Sequence, residues 1–228
     1  MKIAVVTPYY DESIDVLRRC NDSVRNQTTK VTHIMVGDGK SRTLIDTWKC
    51  EHHKLPYAHD DAGATPRAIG ALSAFSRGYD IVMFLDADNW YENQHAEIIT
   101  NVLQESGADA VIGTRTIHAQ DGTAMYVDRI ESNGENMIDT NTWALTRSCL
   151  PHLHAWITEP QNRLWSDRYF DHAMRGSSLR IARCEIPTVA YVTKWAWHYQ
   201  HAGQPIPDDA VWIDTAEDGT LVHRRHGG

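Results

Sequence analysis

Apolar and polar positions alternate through the first half of the chain in a pattern that predicts strands and helices in turn. Short apolar runs at 3–6, 32–36 and 81–85 are typical of strands buried on both faces. The first run is predicted to stop at Pro8, because proline cannot donate a hydrogen bond within a central ladder. Between the first two runs, residues 14–24 carry apolar side chains at helical spacing. Repeated strand–helix–strand units predict a parallel sheet flanked by helices.

The pattern changes after about residue 112, where strands and turns replace the regular alternation. The fold class expected is therefore α/β, with a mostly parallel central sheet in the first half and a smaller mixed β region in the second. The whole chain, 1–228, is expected to form one domain, with its halves meeting near residue 113. The later elements predicted are helices at 94–106 and 164–174, a strand at 110–112, a hairpin joining 115–118 to 124–127, strands at 179–182 and 188–192, and a terminal hairpin joining 211–213 to 220–222.

Composition and charge exclude several classes of protein. The chain has 30 acidic and 22 basic residues and a net charge of -8, so it lacks the basic footprint of a nucleic-acid-binding protein. No apolar run approaches the roughly 18 residues of a membrane helix. The first residues are predicted to enter a strand directly and show no signal-peptide pattern, and the cysteines form no metal-binding or disulfide pattern. We expect a cytoplasmic protein that is at most peripheral to a membrane.

Two carboxylates, Asp86 and Asp88, follow the most apolar of the predicted strands with only Ala87 between them. In open α/β sheets, ligands bind outside the carboxyl ends of the strands. Like charges this close are stabilised by a nearby cation, and oxygen ligands suit Mg2+ or Mn2+. A solvated turn is the alternative interpretation, since Asp and Asn are common turn residues.

A helix start near residue 65 carries a further candidate. Thr65 is predicted to be the N-cap and Pro66 the first helical residue. Arg67 then falls in the first turn, where the helix dipole disfavours a cation that lacks an anionic partner. Gly63, just before, would let the backbone come close to a ligand.

Five blocks in the first 90 residues, taken in order, resemble glycosyltransferase family 2, whose members have the GT-A fold. The order and spacing of the blocks are more specific than any one of them. Beyond residue 90 the resemblance is thinner: Asp167 stands where the family has an Asp base, although Ser166 replaces the usual preceding Glu. The five blocks are Thr7-Pro8-Tyr9-Tyr10-Asp11-Glu12, Asp22-Ser23-Val24-Arg25-Asn26-Gln27-Thr28, Val36-Gly37-Asp38-Gly39, Asp61 to Gly70 and Asp86-Ala87-Asp88.

The resemblance implies a role for each matched residue. Asp167 would be the catalytic base, and Asp88 and His198 would hold Mn2+ or Mg2+. The Asp38 carboxylate would accept hydrogen bonds from the N–H groups of the nucleotide base. The ring of Tyr10 would stack on the same nucleotide base. Residues implied to bind the nucleotide sugar are Pro8, Tyr10, Glu12, Asp38, Arg67, Asp86 and Ala87.

The implied activity is that of an inverting glycosyltransferase in polysaccharide or glycoconjugate biosynthesis. Such an enzyme would move a sugar from a nucleotide-sugar donor to a saccharide or lipid-linked acceptor. A UDP-sugar is favoured over a GDP-sugar as the donor. A base and a metal suffice for such a reaction, without a covalent nucleophile.

Alternatives remain open at the level of function and of single residues. A sugar-phosphate nucleotidylyltransferase would need a glycine-rich basic loop where this chain has 7–12, which is acidic. A carbohydrate-binding module would explain why six of the eight tryptophans lie in the second half, but at most one or two of them are expected to contact substrate. Asp167 could instead be a helix N-terminal acid. His152, His154 and His201 compete with His198 as the metal ligand.

Overall fold

A computed structural model describes residues 1–132, 137–158, 166–215 and 221–225 of the chain. Strands and helices alternate up to α3, as the sequence predicts, and strands dominate afterwards. The strands are β1 (Ile3–Tyr9), β2 (Thr32–Asp38), β3 (Glu51–Leu55), β4 (Ile81–Phe84), β5 (Trp90–Tyr91), β6 (Ala110–His118), β7 (Ala124–Val127), β8 (Trp143–Thr146), β9 (Ile181–Val192), β10 (Val211–Thr215) and β11 (Leu221–Arg225). The helices are α1 (Ile14–Arg25), α2 (Ala64–Ser76), α3 (His95–Ser106), α4 (Ser166–Arg175) and α5 (Ala196–His201), with 3-10 helices at Thr43–Thr47, Thr140–Thr142 and Arg147–Trp156.

One sheet contains β1 to β9 of the described chain, in the order β3-β2-β1-β4-β8-β6-β9-β5, with β7 paired to β6. The first four strands in this order are parallel, as predicted for the first half. β8 runs antiparallel between β4 and β6, while β6 and β9 are parallel. The predicted mixed β region is therefore continuous with the parallel strands, and the expected division at residue 113 falls inside β6.

Helices cover both faces of the sheet, and the side chains of its central strands alternate between the two cores. In β4, Val82 and Phe84 pack into the core that contains α2 and α4, whereas Ile81 and Met83 pack into the core that contains α1 and α3. This double burial is why these strands are continuously apolar in sequence. It leaves the ends of the strands as the place where polar side chains can meet.

Two local predictions about strand and helix ends were wrong. β1 continues through Pro8, which pairs with Val36 of β2. The pairing of β1 with β4 ends at Val6, so Pro8 lies beyond it and costs no hydrogen bond on that side. Thr65 is not the cap of α2: the helix begins at Ala64 after Gly63, and the carboxylate of Asp61 accepts from the Thr65 N–H at 2.8 Å.

The second half confirms several predicted elements and merges others. The hairpin of β6 and β7 and the terminal hairpin of β10 and β11 are both present. The strands predicted at 179–182 and 188–192 are one irregular strand, β9. The helix predicted at 164–174 is present as α4, although residues 164–165 lie outside the described part. None of the described helices is long and apolar enough to cross a lipid bilayer.

Candidate active site

A cleft of about 330 Å³ opens at the carboxyl ends of β1, β2 and β4. This is where ligands bind in open α/β sheets, and three consecutive parallel strands deliver their terminal side chains to it. All but one of the predicted nucleotide-binding residues line it; the exception is Arg67, which lies behind Asp86. The lining residues are Pro8, Tyr9, Tyr10, Glu12, Asp38, Asp60, Asp61, Ala62, Gly63, Pro66, Asp86, Ala87 and Asp88.

Asp86 is fixed from two sides, so its carboxylate has little freedom to move. The guanidinium of Arg67, which is 5% exposed, donates to Asp86 Oδ1 at 2.6 Å. The side-chain N–H of Asn141 donates to Asp86 Oδ2 at 2.9 Å. The side-chain oxygen of Asn141 accepts from the main-chain N–H of Asp86 at 2.5 Å. Arg67 therefore has an acidic partner within the protein, which explains how a cation is accommodated in the first turn of α2.

Asp88 has a different environment, with a cation on its open side. The ammonium of Lys194 lies 3.5 Å from Asp88 Oδ2. Arg19 donates to the main-chain carbonyl of Asp88 at 2.6 Å, which fixes the loop without neutralising the carboxylate. Burial, reinforced by the charges of Asp86 and Glu12, raises the pKa of Asp88 to about 6 despite Lys194. An added cation would therefore stabilise its ionised form.

The opposite end of the cleft carries the residues expected to hold a nucleotide base. Asp38 is 5% exposed, and its Oδ1 accepts from His59 Nδ1 at 2.6 Å. The main-chain N–H of His59 points at both carboxylate oxygens of Asp38, at 3.1 and 3.2 Å. The ring of Tyr10 is 43% exposed and lies 4.2 Å from the ammonium of Lys40. Asp38 is thus already oriented by His59, while Tyr10 is partly exposed and carries the Lys40 ammonium over one face of its ring.

The loop between these two ends adopts an unusual backbone conformation. Asp60 and Ala62 both have a φ of 54°, in the left-handed region, and Gly63 has a φ of 83°. A Cβ on Gly63 would lie 3.1 Å from the Pro8 ring, so only glycine fits there without strain. Non-glycine residues in this region cost on the order of 1 kcal/mol or more and cluster at ligand sites.

Asp167 lies in a second cavity, of about 120 Å³, at the N-terminal turn of α4. Burial, with the nearby charge of Asp139, raises the pKa of Asp167 to about 6, against the opposing N–H of Arg168 and charge of Arg67. A carboxylate with a pKa in this range can accept a proton near neutral pH. Trp195 and Trp197 also line this cavity, whereas Trp143 and Trp156 are buried in the core.

A buried cluster of charges forms the floor of the second cavity. Arg115, 1% exposed, contacts Asp128 at 2.8 Å, Glu131 at 2.6 Å and Asp139 at 2.7 Å. Burial alone would raise the pKa of Asp128, but Arg115 and backbone amides outweigh it and lower the pKa to about 2. For Asp139 burial outweighs Arg115 and the pKa is raised. Asp139 Oδ1 also accepts from Asn141, so the cluster is connected to Asp86.

His198 belongs to this cluster, and its two ring nitrogens are both in use. Nε2 donates to Glu131 at 3.2 Å, and Nδ1 accepts from the hydroxyl of Thr193 at 2.5 Å. The ring is fully buried, and burial lowers the pKa of His198 despite the Glu131 carboxylate. The structure therefore joins His198 to Glu131 and does not bring it together with Asp88. As placed, it has no ring nitrogen free for a metal ion.

The side chains at the cleft fit only part of the expected Mn2+ or Mg2+ site. Within the described residues, no group of three or more His, Cys, Asp or Glu side chains is arranged to hold a metal ion. Mg2+ commonly takes only one or two carboxylates and completes its shell with phosphate oxygens and water. The Asp88 carboxylate, in an acidic cleft open to a ligand, fits this mode of binding. Asp88 fits as a ligand, whereas His198 does not.

Several residues that shape the site were not found from the sequence. Asn141, Arg115 and His59 are distant in sequence from the residues they fix, and no motif marks them. Lys194 lies four residues before His198, the histidine that the family resemblance suggested as a metal ligand. A search for basic residues near that histidine would have found it.

Comparison with solved structures identifies the architecture. Structures of S. aureus TarS 1-349 in complex with UDP and with UDP-GlcNAc match with TM-scores of 0.63 and 0.61, at 12% and 13% identity. These matches cover 89% and 85% of this chain and 63% and 59% of the TarS chains. At this identity the likeness establishes the fold alone, which is the GT-A fold expected from the sequence.

Sequence comparison then gives the family. The model for glycosyl transferase family 2 matches residues 4–159, and the chain belongs to that family. Glycosyltransferase GlyA of Streptococcus pneumoniae serotype 4 is 30% identical over 117 residues, covering 49% of this chain. The match spans only 16% of GlyA. The family confirms the resemblance found in the first 90 residues and favours a glycosyltransferase over a nucleotidylyltransferase or a binding module.

Proposed function

We propose that the chain is an inverting glycosyltransferase that uses a nucleotide diphosphate sugar, with a UDP-sugar favoured. The observation that carries this proposal is the continuity between the acidic cleft and the cavity of Asp167. An intermediate cavity shares Asp86 and Asp88 with the cleft, and Tyr191 and Trp195 with the cavity of Asp167. A nucleotide sugar bound in the cleft would thus have its sugar directed toward the Asp167 carboxylate, the proposed general base.

The donor would lie with its base at the end formed by Asp38 and Tyr10. The Asp38 carboxylate keeps acceptor capacity toward a base N–H, since His59 occupies only part of it. The ring of Tyr10 offers a face for stacking. The UDP and UDP-GlcNAc complexes of TarS, which shares the fold, support UDP as the nucleotide.

Asp88 is the proposed ligand for Mn2+ or Mg2+. When bound, the ion would supply Lewis-acid stabilisation of the diphosphate that departs. Asp86, fixed by Arg67 and Asn141, is more rigid and is proposed to contact the ribose or a water molecule rather than the metal. This division of roles follows from the hydrogen bonds each carboxylate already makes.

Asp167 is the proposed general base. It would take the proton of an acceptor hydroxyl as that oxygen forms a bond to the anomeric carbon, while the bond from that carbon to the diphosphate oxygen breaks. The electron pair of the broken bond leaves with the nucleotide diphosphate. Attack from the side opposite the leaving group inverts the anomeric configuration. A saccharide or glycoconjugate acceptor is proposed, and Trp195 and Trp197 offer faces for a sugar ring.

Binding of UDP and of GDP, measured by calorimetry with and without Mn2+, tests the donor and metal assignments. We expect UDP binding that strengthens with Mn2+, and we expect Asp88→Asn to lose that metal-dependent gain. Asp22→Asn, at an exposed surface ion pair with Arg25, is the matched control and should behave like wild type. The proposal fails if wild type binds neither nucleotide, or if Asp88→Asn retains the full effect of Mn2+.

A further inference from the structure

Lys194 is held at a fixed place beside the cleft by its backbone, whereas its side chain is largely exposed to solvent. It follows β9, and its carbonyl oxygen accepts from the Val211 N–H at 2.7 Å. The neighbouring Thr193 is fully buried, and its N–H donates to His118 at 2.9 Å. The Lys194 side chain itself is 65% exposed. A flexible cation on a rigid backbone can reach more than one anion from the same position.

The anion within reach in this structure is Asp88. Lys194 Nζ lies 3.5 Å from Asp88 Oδ2, a contact too long for a strong hydrogen bond. Both residues line the intermediate cavity of about 300 Å³, which shares Asp86 and Asp88 with the cleft. Asn89 also fixes this arrangement, because its side chain accepts from the Val192 N–H at 2.8 Å. Lys194 therefore approaches Asp88 from the side opposite the base-binding end.

The acidic charge of the cleft favours an additional cation beside a diphosphate ligand. The side chains that line the cleft include the carboxylates of Glu12, Asp38, Asp60, Asp61, Asp86 and Asp88. Among the described cations near it, Arg67 is buried against Asp86. Arg19 is half-buried, donates to the main-chain carbonyl of Asp88 and lies over the ring of Trp90. Lys40 and Arg42 both pair with Asp11 at the opposite end. Lys194 is the described cation that combines exposure with a position next to Asp88.

We propose that Lys194 is a ligand of the donor's diphosphate and a catalytic residue for its departure. In this structure its ammonium lies beside the Asp88 carboxylate. With a diphosphate in the cleft, the ammonium would turn to an oxygen of the phosphate that is attached to the sugar and would stabilise the negative charge that develops as the bond to the sugar breaks. A divalent cation held by the Asp88 carboxylate would supply further positive charge at the same place. This inference deepens the proposed function and rests on it. The alternative is an ordinary surface ion pair, which contributes little to anything measurable.

Calorimetry on the full chain with UDP, with UMP and with Mn2+ alone separates these possibilities. We expect Lys194→Gln to weaken UDP binding in Mn2+ by about 10-fold or more, as for loss of a charged hydrogen bond. UMP, which lacks the second phosphate, should bind almost as it does to wild type. Mn2+ alone should bind the variant at least as tightly as wild type, because Asp88 has lost its competing cation. Lys194→Arg should recover part of the UDP affinity.

Lys54→Gln is the matched control, since Lys54 is also an exposed lysine paired with an aspartate, Asp46, but on the edge strand β3. It should bind UDP as wild type does. If Lys194→Gln binds UDP as tightly as wild type, or loses UMP affinity to the same degree, Lys194 is not a diphosphate ligand, although the proposed function stands. If wild type binds neither UDP nor GDP, the proposed function fails and this role fails with it.

Discussion

Asn141 and Asp86, 55 residues apart in sequence, are joined by two hydrogen bonds that run in opposite directions. The Asp86 N–H donates to the side-chain oxygen of Asn141 at 2.5 Å, and the side-chain amide of Asn141 donates back to the Asp86 carboxylate at 2.9 Å. The same amide also donates to Asp139 at 2.7 Å. Asn141 therefore connects the end of β4 to the charge cluster around Arg115.

Replacing Asn141 by alanine should cost both stability and donor binding. The Asp86 N–H and the buried Asp139 carboxylate would each lose a partner, and unsatisfied buried polar groups cost about 1–3 kcal/mol each. We expect a lower urea midpoint with an unchanged slope, together with weaker UDP binding. Asn101→Ala, on the exposed face of α3, should change the stability by about 0.5 kcal/mol or less. Equal effects at the two positions would contradict the structural role of Asn141.

Asp167 and Asp15 make a matched pair for testing the general base, because each lies in the first turn of a helix. If Asp167 only stabilises the helix dipole, Asp167→Asn and Asp15→Asn should behave alike. As a general base, Asp167 should show a loss of about 10²–10⁴-fold in sugar transfer, with UDP affinity retained. Asp15→Asn should transfer at the wild-type rate. A rate assay at saturating donor and acceptor, with calorimetry of UDP, distinguishes the two roles.

The pH dependence of transfer should follow the titration of Asp167. The pKa of about 6 means that the base is protonated, and inactive, below that pH. At saturating donor and Mn2+, we expect kcat to rise with pH through about 6 and then to level off. The residual rate of Asp167→Asn should be flat across the same range. A wild-type profile that is flat from pH 5 to 8 would exclude Asp167 as the base.

The same shift predicts that Asp167 destabilises the folded protein at neutral pH. Its pKa rises from 3.8 to about 6 on folding, so between these values the folded state binds more protons than the unfolded state, and stability falls as pH rises. Asp167→Asn should therefore be more stable than wild type at pH 7, by on the order of 1–2 kcal/mol after allowance for solvent. The difference should shrink as the pH falls and vanish below about pH 3, where Asp167 is protonated in both the folded and the unfolded state. Urea denaturation across this pH range checks the sign.

The sequence predicts those parts of the site whose pattern lies within a short stretch of the chain. Asp38 is the last residue of a buried strand, and Asp86 and Asp88 come shortly after another, so their position at a sheet edge follows from the chain itself. The edge strand β3, with the sequence Glu-His-His-Lys-Leu, has no apolar pattern and was not predicted. None of its five residues is fully buried, which removes the signal on which strand prediction depends.

Residues whose role depends on tertiary contacts could not be predicted in this way. His198 was expected at the metal because of its place after the last core strand, but the fold places Glu131 and Thr193 at its ring nitrogens. The partners of Arg115 come from turns and loops 13 to 24 residues further along the chain, without periodicity. Only the packing of β6 against these loops brings the charges together.

Arg115 offers the most severe test of the charge cluster, because it alone neutralises carboxylates that come from three separate positions. Arg115→Met would leave these charges buried without a cation, and breaking buried pairs in this way costs about 3–5 kcal/mol. Arg129→Met is the control, since Arg129 is 56% exposed and pairs with an equally exposed Glu185, so that its loss should cost at most about 1 kcal/mol.

Arg115→Lys should fall between wild type and Arg115→Met in urea denaturation, because one ammonium cannot contact all three carboxylates with the geometry of a guanidinium. It also guards against the case in which Arg115→Met fails to fold. If Arg115→Lys is as stable as wild type, the planar contacts of Arg115 contribute nothing beyond charge. If Arg115→Met is also as stable, the buried carboxylates must be protonated in the folded protein, and the low pKa assigned to Asp128 is wrong.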